Sequence, residues 1–271
     1  LAAGKGVIIC TTKKEAVSTL NDIFKKNKFG NAGEKILIEE FLEGYEISYF
    51  SFFDKNNFLP FGYALDHKRA KNNDKGLNTG GMGAFSPSKK ITASLERKII
   101  KEIVLPTKNG LEKSKIIYRG IIFFGLMITE KGPKVIEYNV RFGDPECQVL
   151  MRKLDSDLLN ILDAVASDLL YKNLKISLNK DFCICVILAS IGYPNEYQTG
   201  FEIQDIKNIS LKDNIEIFHS GTEKKNNKYL STGGRVLSIT ARDKNPNIAK
   251  KKVYRALKKI NWKNGFYRDD I

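Results

Sequence analysis

The segment VIEYNVRFGDPE, Val135 to Glu146, alternates before it breaks. Glu137, Asn139 and Arg141 fall at every second position, with Ile136, Tyr138 and Val140 between them. Successive side chains of a strand point to opposite faces, so the pattern lines up an acid, an amide and a guanidinium on one face. The apolar residues opposite predict a strand covered on both sides, and Gly143-Asp144-Pro145 ends it. A carboxylate and an amide oxygen at this spacing suit a hard cation such as Mg2+. Arg141 adds a fixed positive charge for a phosphoryl group bound to the same metal. The plainer alternative is an exposed strand with a surface salt bridge.

With 271 residues the chain has room for one large domain or two ordinary ones. Its 42% hydrophobic and 28% charged residues are a normal soluble balance. The longest apolar run, GIIFFGLMI from Gly120, is strand-length, so no membrane partner is expected. The chain opens on LAAGKG, without a signal sequence or a start Met, and is expected to be an internal piece of a longer protein. Cys183 and Cys185 share one face of FCICVILAS and are expected to be two buried thiols. With only His67 and His219 in the chain, neither at zinc spacing, a metal site there is not expected, and a cytoplasmic location fits. The net charge of +14 comes from lysines spread along the whole chain. The one dense cluster, Lys250 to Lys259, lies on a predicted helix whose buried side is Ile248, Val253, Leu257 and Ile260. That face is expected to be solvated. No aromatic–basic interleaving or binding motif accompanies it, so no nucleic-acid partner is expected.

A helix is predicted from Thr12, with Thr12 as N-cap and Glu15 completing a capping box. KILIEEFL and EISYFSFFD read as strands separated by a turn at Glu43-Gly44, and LPFGYALDHKRA as another. A glycine-rich loop is expected from Asn78 to Pro87 and a helix from Thr92 to about Val104. Strands at Gly120–Thr129 and Lys134–Phe142 are predicted to pair antiparallel across Lys131-Gly132. A helix from Asp157 to about Leu170 would bury Leu158, Leu162, Val165 and Leu169. Beyond Leu174, four short strands (FCICVILAS, FEIQDI, IEIFHSGT, GGRVLSITAR) and the basic helix predict a separate α+β unit.

Two further motifs carry chemistry. Backbone amides of LAAGKGV can cradle phosphate oxygens, with Lys5 as the cation, although an ordinary turn reads the same and the stretch is not a Walker A sequence. In IEEFLEGYEIS, free backbone groups at Glu39 to Leu42 can meet an adenine edge and Glu46 can take ribose hydroxyls. A plain hairpin with surface acids is the alternative. A glycine-rich loop, an E-E-F-L hinge and a Glu/Asn metal strand in this order resemble the ATP-grasp fold. With DHKRA, NTGGMGAFSP, EYNVRFGDPECQ, TGGRVLSITA and FYRDDI, the chain resembles the phosphoribosylamine–glycine ligase family from end to end.

The resemblance implies an α+β ATP-grasp fold followed by a small C-terminal α+β domain. The expected divisions are 1–45 (the rest of the small lobe), 46–175 (the large lobe with the metal and substrate site) and 176–271. The family's N-terminal domain, and a nucleotide-site lysine within Lys-Ala-Asp-Gly, have no counterpart in this chain, so the 271 residues alone are expected not to form product. Cys147 stands where the family often has Thr. The implied reaction joins glycine to 5-phosphoribosylamine at the expense of ATP, through a glycyl phosphate, giving glycinamide ribonucleotide, ADP and phosphate. Glu137 and Asn139 would hold Mg2+ or Mn2+. Arg141, Asp66 and Lys68 would be catalytic. Lys5, Gly4 and Gly6 would take ATP phosphates, Glu39, Glu40 and Leu42 adenine, and Glu46 ribose. His67, Asn78, Thr79, Gly80, Gly81, Met82, Gly83 and Asp144 would contact glycine or the sugar phosphate. His67 reads equally as a structural hydrogen-bonder, and Asp144 and Glu146 as either amine-orienting groups or a turn and helix start. The expected oligomeric state is a monomer. Another ATP-grasp carboxylate–amine ligase, or an inactive relative, is the alternative function; NTGGMGAFSP argues against the former.

Overall fold

The structure is a computed structural model that describes residues 6–170, 174–209 and 214–271. It divides into two compact units, Leu1–Glu43 and Gly44–Ile271. In the first, helix α1 (Lys13–Phe24) opens with the expected capping box. Glu15 N–H donates to Thr12 Oγ1 at 3.2 Å and the Glu15 carboxylate accepts from Thr12 N–H at 3.2 Å. The expected strand at Lys35–Leu42 does not form. Leu37 and Ile38 are 80% and 81% exposed, and no strand lies among the unit's described residues. A strand requires a neighbour for its backbone N–H and C=O groups, and β-branched composition does not substitute for one.

The second unit is built on a nine-stranded sheet. β1 (Tyr45–Phe53) and β2 (Phe58–Asp66) pair antiparallel, β3 (Arg69–Lys71) and β4 (Lys75–Asn78) form a separate hairpin, and β5 (Gly83–Ser86) returns beside the end of β2. Helix α2 (Ala93–Ile99) continues through a π-helical turn, Ile100–Val104, into α3 (Leu105–Lys113), well past the expected end at Val104. β6 (Gly120–Thr129) and β7 (Gly132–Asn139) follow, then α4 (Glu146–Lys153) and α5 (Leu158–Ala166). β8 (Phe182–Ser190), β9 (Glu202–Ile203), β10 (Ile215–His219), β11 (Thr222–Lys225), β12 (Lys228–Ser231), β13 (Arg235–Asp243), α6 (Pro246–Leu257) and β14 (Gly265–Phe266) complete it. The sheet order is β10-β13-β8-β5-β2-β1-β6-β7, with β14 also on β8. The β5–β8 pairing carries the sheet across the division expected near residue 176. It needs Gly83, where a β-carbon would lie 2.7 Å from the Cys185 carbonyl oxygen.

Seven consecutive buried residues end β1, the mark of a strand covered on both faces. Ile47, Tyr49 and Phe53 pack with Ile99, Val104 and Phe124, whereas Phe50 and Phe52 pack with Leu150, Ile161 and Val165. β7 differs from expectation. It stops at Asn139, its turn is Glu130-Lys131, and it is the sheet's edge strand. Ile136, Tyr138 and Val140 are 38%, 52% and 72% exposed, so its apolar side is not covered. The glycine-rich loop is shorter than expected, because Gly83–Ser86 is strand. Helix α5 buries Ile161 and Val165 and exposes Leu162. Helix α6 buries Ala249, Val253, Ala256 and Leu257 and leaves Ile248 exposed, because the small alanines rather than Ile248 set its packed stripe.

The C-terminal tail is tied down by Arg268, which is 1% exposed. Its Nε and Nη2 donate to Asp270 at 2.8 Å, and its Nη1 to Asp74 Oδ1 at 2.7 Å and to the Arg69 carbonyl at 3.1 Å. The hydrogen bonds from Arg268 hold the Asp270 carboxyl down at about 2. A depressed folded pKa contributes stability above the unfolded value near 4, and that contribution is lost as pH falls from about 4 towards 2. Arg268→Met is expected to cost about 3 kcal/mol, the low end for breaking a buried ion pair, since Asp74 is largely exposed. Urea unfolding reads this, and the variant should show a weaker loss of stability between pH 4 and 2 than the parent; coincident curves would remove the tie.

Candidate active site

Strand register assembles one row of side chains across the sheet. Ser48 on β1 lies opposite Ala64 on β2 and Gly125 on β6, and Gly125 lies opposite Glu137 on β7. Phe50, Phe123 and Asn139 form the next row. Directly opposed residues share a face, so Glu46, Ser48, Asp66, Glu137 and Asn139 belong to one face. Gly125 makes this possible: a β-carbon there would sit 2.8 Å from Glu137 Cγ, and Glu137 lies across the gap.

Lys68 Nζ is 2.6 Å from Glu46 Oε2. Glu146, at the first turn of α4, is buried and accepts from Ser48 Oγ at 2.8 Å. Four carboxylates thus share this end of the face with one ammonium. Burial first, and then the charge of Glu146, push the Asp66 carboxyl up to about 7. Burial also raises Glu146, against the hydrogen bond from Ser48. Burial works against the charge on Lys68, but Asp66, Glu46 and Glu137 outweigh it and hold the ammonium above its ordinary value. A carboxyl near neutrality beside a fixed cation can take or give a proton.

On β7, Asn139 Nδ2 donates to Glu137 Oε1 at 3.1 Å. Beyond the strand end, Arg141 Nη2 reaches Asn139 Oδ1 at 3.4 Å and its Nη1 the Phe142 carbonyl at 2.8 Å. The structure therefore brings these three together, although Arg141 belongs to the bend after β7. Among the described residues no group of three or more His, Cys, Asp or Glu could hold a metal ion. A pair of oxygen donors still fits Mg2+, which takes one or two protein carboxylates and fills the rest of its shell with water and phosphate oxygens.

The Thr79–Met82 segment is pinned to the end of β2. Thr79 N–H and Oγ1 donate to the Lys68 carbonyl at 2.7 and 2.8 Å, and Met82 N–H to the His67 carbonyl at 2.8 Å. Met82 is fully buried, and Gly83 lies within β5, so neither presents a side chain to a ligand. Asn78 is exposed at the end of β4, opposite Arg69. His67 points away from the face that carries Asp66 and Lys68. Its Nδ1 is 3.6 Å from Asp74 and its ring packs on Phe85, the structural arrangement left open by the sequence. Burial and Arg268 push its pKa down. Asp144 accepts from Gln148 Nε2 at 2.9 Å and pairs with Arg235 at 3.1 Å. Sequence reasoning missed Arg235, Tyr193 and the Ser48–Glu146 bond. A serine among the aromatic and apolar residues of β1, and an arginine directly after a glycine pair, are the signals that could have found them. Lys5 and Gly4 lie outside the described residues. Gly6 is in a turn, and Glu39, Glu40 and Leu42 fall in the segment of the first unit that forms no strand. An open cavity of about 750 Å³ runs instead along α6, lined by Asn247, Lys250, Lys251, Tyr254 and further basic residues; without a carboxylate it offers none of this chemistry.

The family models for the phosphoribosylglycinamide synthetase ATP-grasp (A) domain and C domain match residues 1–147 and 183–271. The chain belongs to the phosphoribosylglycinamide synthetase family. Its fold is the α+β ATP-grasp fold with a C-terminal domain. Over all 271 residues it is 44% identical to the phosphoribosylamine–glycine ligase of Rhizobium meliloti and 45% to that of Agrobacterium fabrum, spanning 63% of each. The crystal structure of the phosphoribosylamine–glycine ligase of Thermotoga maritima superposes with a TM-score of 0.85 at 32% identity, covering 100% of this chain and 66% of that one. The biotin carboxylase domain of the Hydrogenobacter thermophilus 2-oxoglutarate carboxylase follows at a TM-score of 0.71 and 16% identity, covering 97% and 56%, a likeness of fold alone. Among the described residues no helix is long and apolar enough to cross a membrane.

The raised Asp66 carboxyl carries a sign. Between about 4, the unfolded value, and about 7 the native state keeps a proton that the unfolded chain releases, so this group lowers stability as pH rises through that window. Asp66→Asn is expected to flatten the decline of stability from pH 4 to 7 relative to the parent, with little difference below pH 4. Parallel urea-unfolding profiles at four pH values test this; identical slopes would show Asp66 to be an ordinary carboxylate.

Proposed function

We propose that the protein containing this chain ligates glycine to 5-phosphoribosylamine, converting ATP to ADP and phosphate. The observation that carries this is the shared sheet face, where the Glu137–Asn139–Arg141 line stands beside the Asp66–Lys68–Glu46 cluster. The names of the relatives support the substrates, and the match of residues 1–147 to the synthetase ATP-grasp domain supports the nucleotide. In this reading Glu137 and Asn139 hold Mg2+ or Mn2+. When bound, the metal neutralises phosphate charge and orients the transferring group. Lys5 with Gly4 and Gly6 takes the ATP phosphates, Glu39, Glu40 and Leu42 the adenine, and the Glu46 oxygen not paired with Lys68 the ribose.

The glycine carboxylate attacks the γ-phosphorus, its bond to the β-oxygen breaks, and Arg141 stabilises the equatorial charge. The amine nitrogen then attacks the carbonyl carbon of glycyl phosphate, the carbon–nitrogen bond forms and phosphate leaves. The proton lost by the nitrogen passes to Asp66, whose carboxyl, raised to about 7 by burial and by the charge of Glu146, suits that task. Lys68 stays charged and screens the incoming anions. Asp144 with Asn78, Thr79, Gly80 and Gly81 borders the glycine and sugar-phosphate site, and residues 46–175 and 176–271 act as successive domains. The protein works as a cytoplasmic monomer without a nucleic-acid partner.

Three variants of the complete reading frame test the metal assignment. Glu137→Ala or Asn139→Ala should lower Mg2+-dependent turnover at least about a hundredfold, the scale of losing one charge-stabilising contact, with circular dichroism unchanged. Gly125→Ala removes no donor but displaces Glu137, and should raise the Mg2+ concentration needed for half-maximal rate by about tenfold. Full turnover in the first pair, at saturating ATP, would take these residues out of the metal site.

A further inference from the structure

We infer that Arg235 is a positioning residue for the acceptor end of the site, acting by tying the Thr79–Met82 loop to the Asp144–Pro145 turn. The inference rests on the proposed function for its kinetic consequence and on geometry alone for the tie. Arg235 opens β13, and its side chain is only 20% exposed. Its Nη1 donates to the Gly80 carbonyl at 3.0 Å and to the Asp144 carbonyl at close range, with the Gly81 carbonyl at 3.4 Å; Nη2 lies 3.1 Å from Asp144 Oδ2. One guanidinium thus joins two loops that are 62 or more residues apart in sequence and share no strand pairing. A planar fork with five donors can do this, whereas a single ammonium cannot span the same acceptors.

The surroundings leave the tie no slack. A β-carbon on Gly80 would lie 2.8 Å from Arg235 Nη2, and one on Gly81 would lie 2.5 Å from Pro145 Cδ. Gly80 N–H donates to Tyr193 Oη at 3.0 Å, and the Tyr193 ring packs so closely on Gly234 that a β-carbon there would be 2.3 Å away. Gly80 is therefore held from both sides, its N–H by Tyr193 and its carbonyl by Arg235. The neighbouring loop bonds, Thr79 and Met82 to the end of β2, do not reach Asp144. From the C-terminal part of the chain, Arg235 and Tyr193 both hold Gly80, while Ile187 N–H donates to the Met82 carbonyl at 2.9 Å at the other end of the loop. Asp144 is in turn held by Gln148 at 2.9 Å, whose own Oε1 is buried without a hydrogen-bond partner. The carboxylate that borders the acceptor site is thus set from two directions, by Arg235 from β13 and by Gln148 from α4.

The consequence is selective. Loosening the loop misplaces the acceptor and leaves the β7 donors, at the far edge of the sheet, where they are. In the complete protein, Arg235→Met is expected to raise the KM for phosphoribosylamine by about tenfold or more while changing the KM for Mg·ATP less than about twofold. Tyr193→Phe, which removes one hydrogen bond from Gly80, should move it in the same direction by about threefold, and Arg235→Lys should recover only part of the loss. Hydrogen–deuterium exchange at residues 79–83 and 143–146 should quicken together in Arg235→Met with the rest of the sheet unchanged. Should Arg235→Met not fold, Tyr193→Phe carries both readouts. Unaltered exchange in both loops overturns the tie, whether or not the parent enzyme is active. Faster exchange with the KM for phosphoribosylamine unmoved, or with both KM values rising together, overturns the positioning role. A parent protein that forms no product from glycine and phosphoribosylamine refutes the proposed function, and in that case the exchange measurement alone decides the tie.

Discussion

Four carboxylates, Glu46, Asp66, Glu137 and Glu146, share one end of a sheet face with a single ammonium, Lys68. Such a group cannot remain fully ionised at neutral pH without further cations, because each partly desolvated charge raises the pKa of its neighbours. The structure meets the constraint in two ways. Asp66 and Glu146 are shifted towards their protonated forms, and Lys68 is held charged. Glu137, at the exposed edge strand, is the member best placed to find its counter-charge from outside the protein. A face with this charge balance suits chemistry that brings in a metal cation and moves a proton.

The sheet exists to hold that face. β1 is buried on both sides, so its register against β2 and β6 is set by the packing of alternate aromatics, and a slip of one residue would turn Glu46 and Ser48 towards Ile99 and Val104. Gly125 is the necessary gap in an otherwise apolar β6, and α4 delivers Glu146 into the row from above. The polar end of the face therefore depends on hydrophobic contacts that lie one and two rows further along the same strands.

Much of this was legible in the sequence. The alternation of Glu137 and Asn139 predicted their common face, and the run EISYFSFFD predicted a strand, because both patterns are local consequences of strand geometry. The coverage of β7 was not legible: Ile136, Tyr138 and Val140 look like a buried side, and only the sheet order shows that β7 is an edge. Lys35–Leu42 failed for a related reason, since composition records a preference for pairing but not the presence of a partner. Arg235 lies 155 residues from Gly80, and nothing local to TGGRVL indicates which loop its guanidinium will meet. Helix α4 was legible only as the helix-start alternative at Glu146, because its stretch, ECQVLMRK, is just eight residues long, too short for helical periodicity to stand out.

The central claim is that Glu137 and Asn139, held together by register on β7, are the metal donors of an ATP-using site. The most direct measurement is a crystal structure of the complete protein grown with ADP and Mn2+, with the metal located by its anomalous signal. The account predicts Mn2+ bound by a Glu137 carboxylate oxygen and Asn139 Oδ1 at distances of about 2.0–2.3 Å, with phosphate oxygens completing the shell. Metal and nucleotide bound elsewhere, with Glu137 and Asn139 still paired to each other and free of metal, would contradict it.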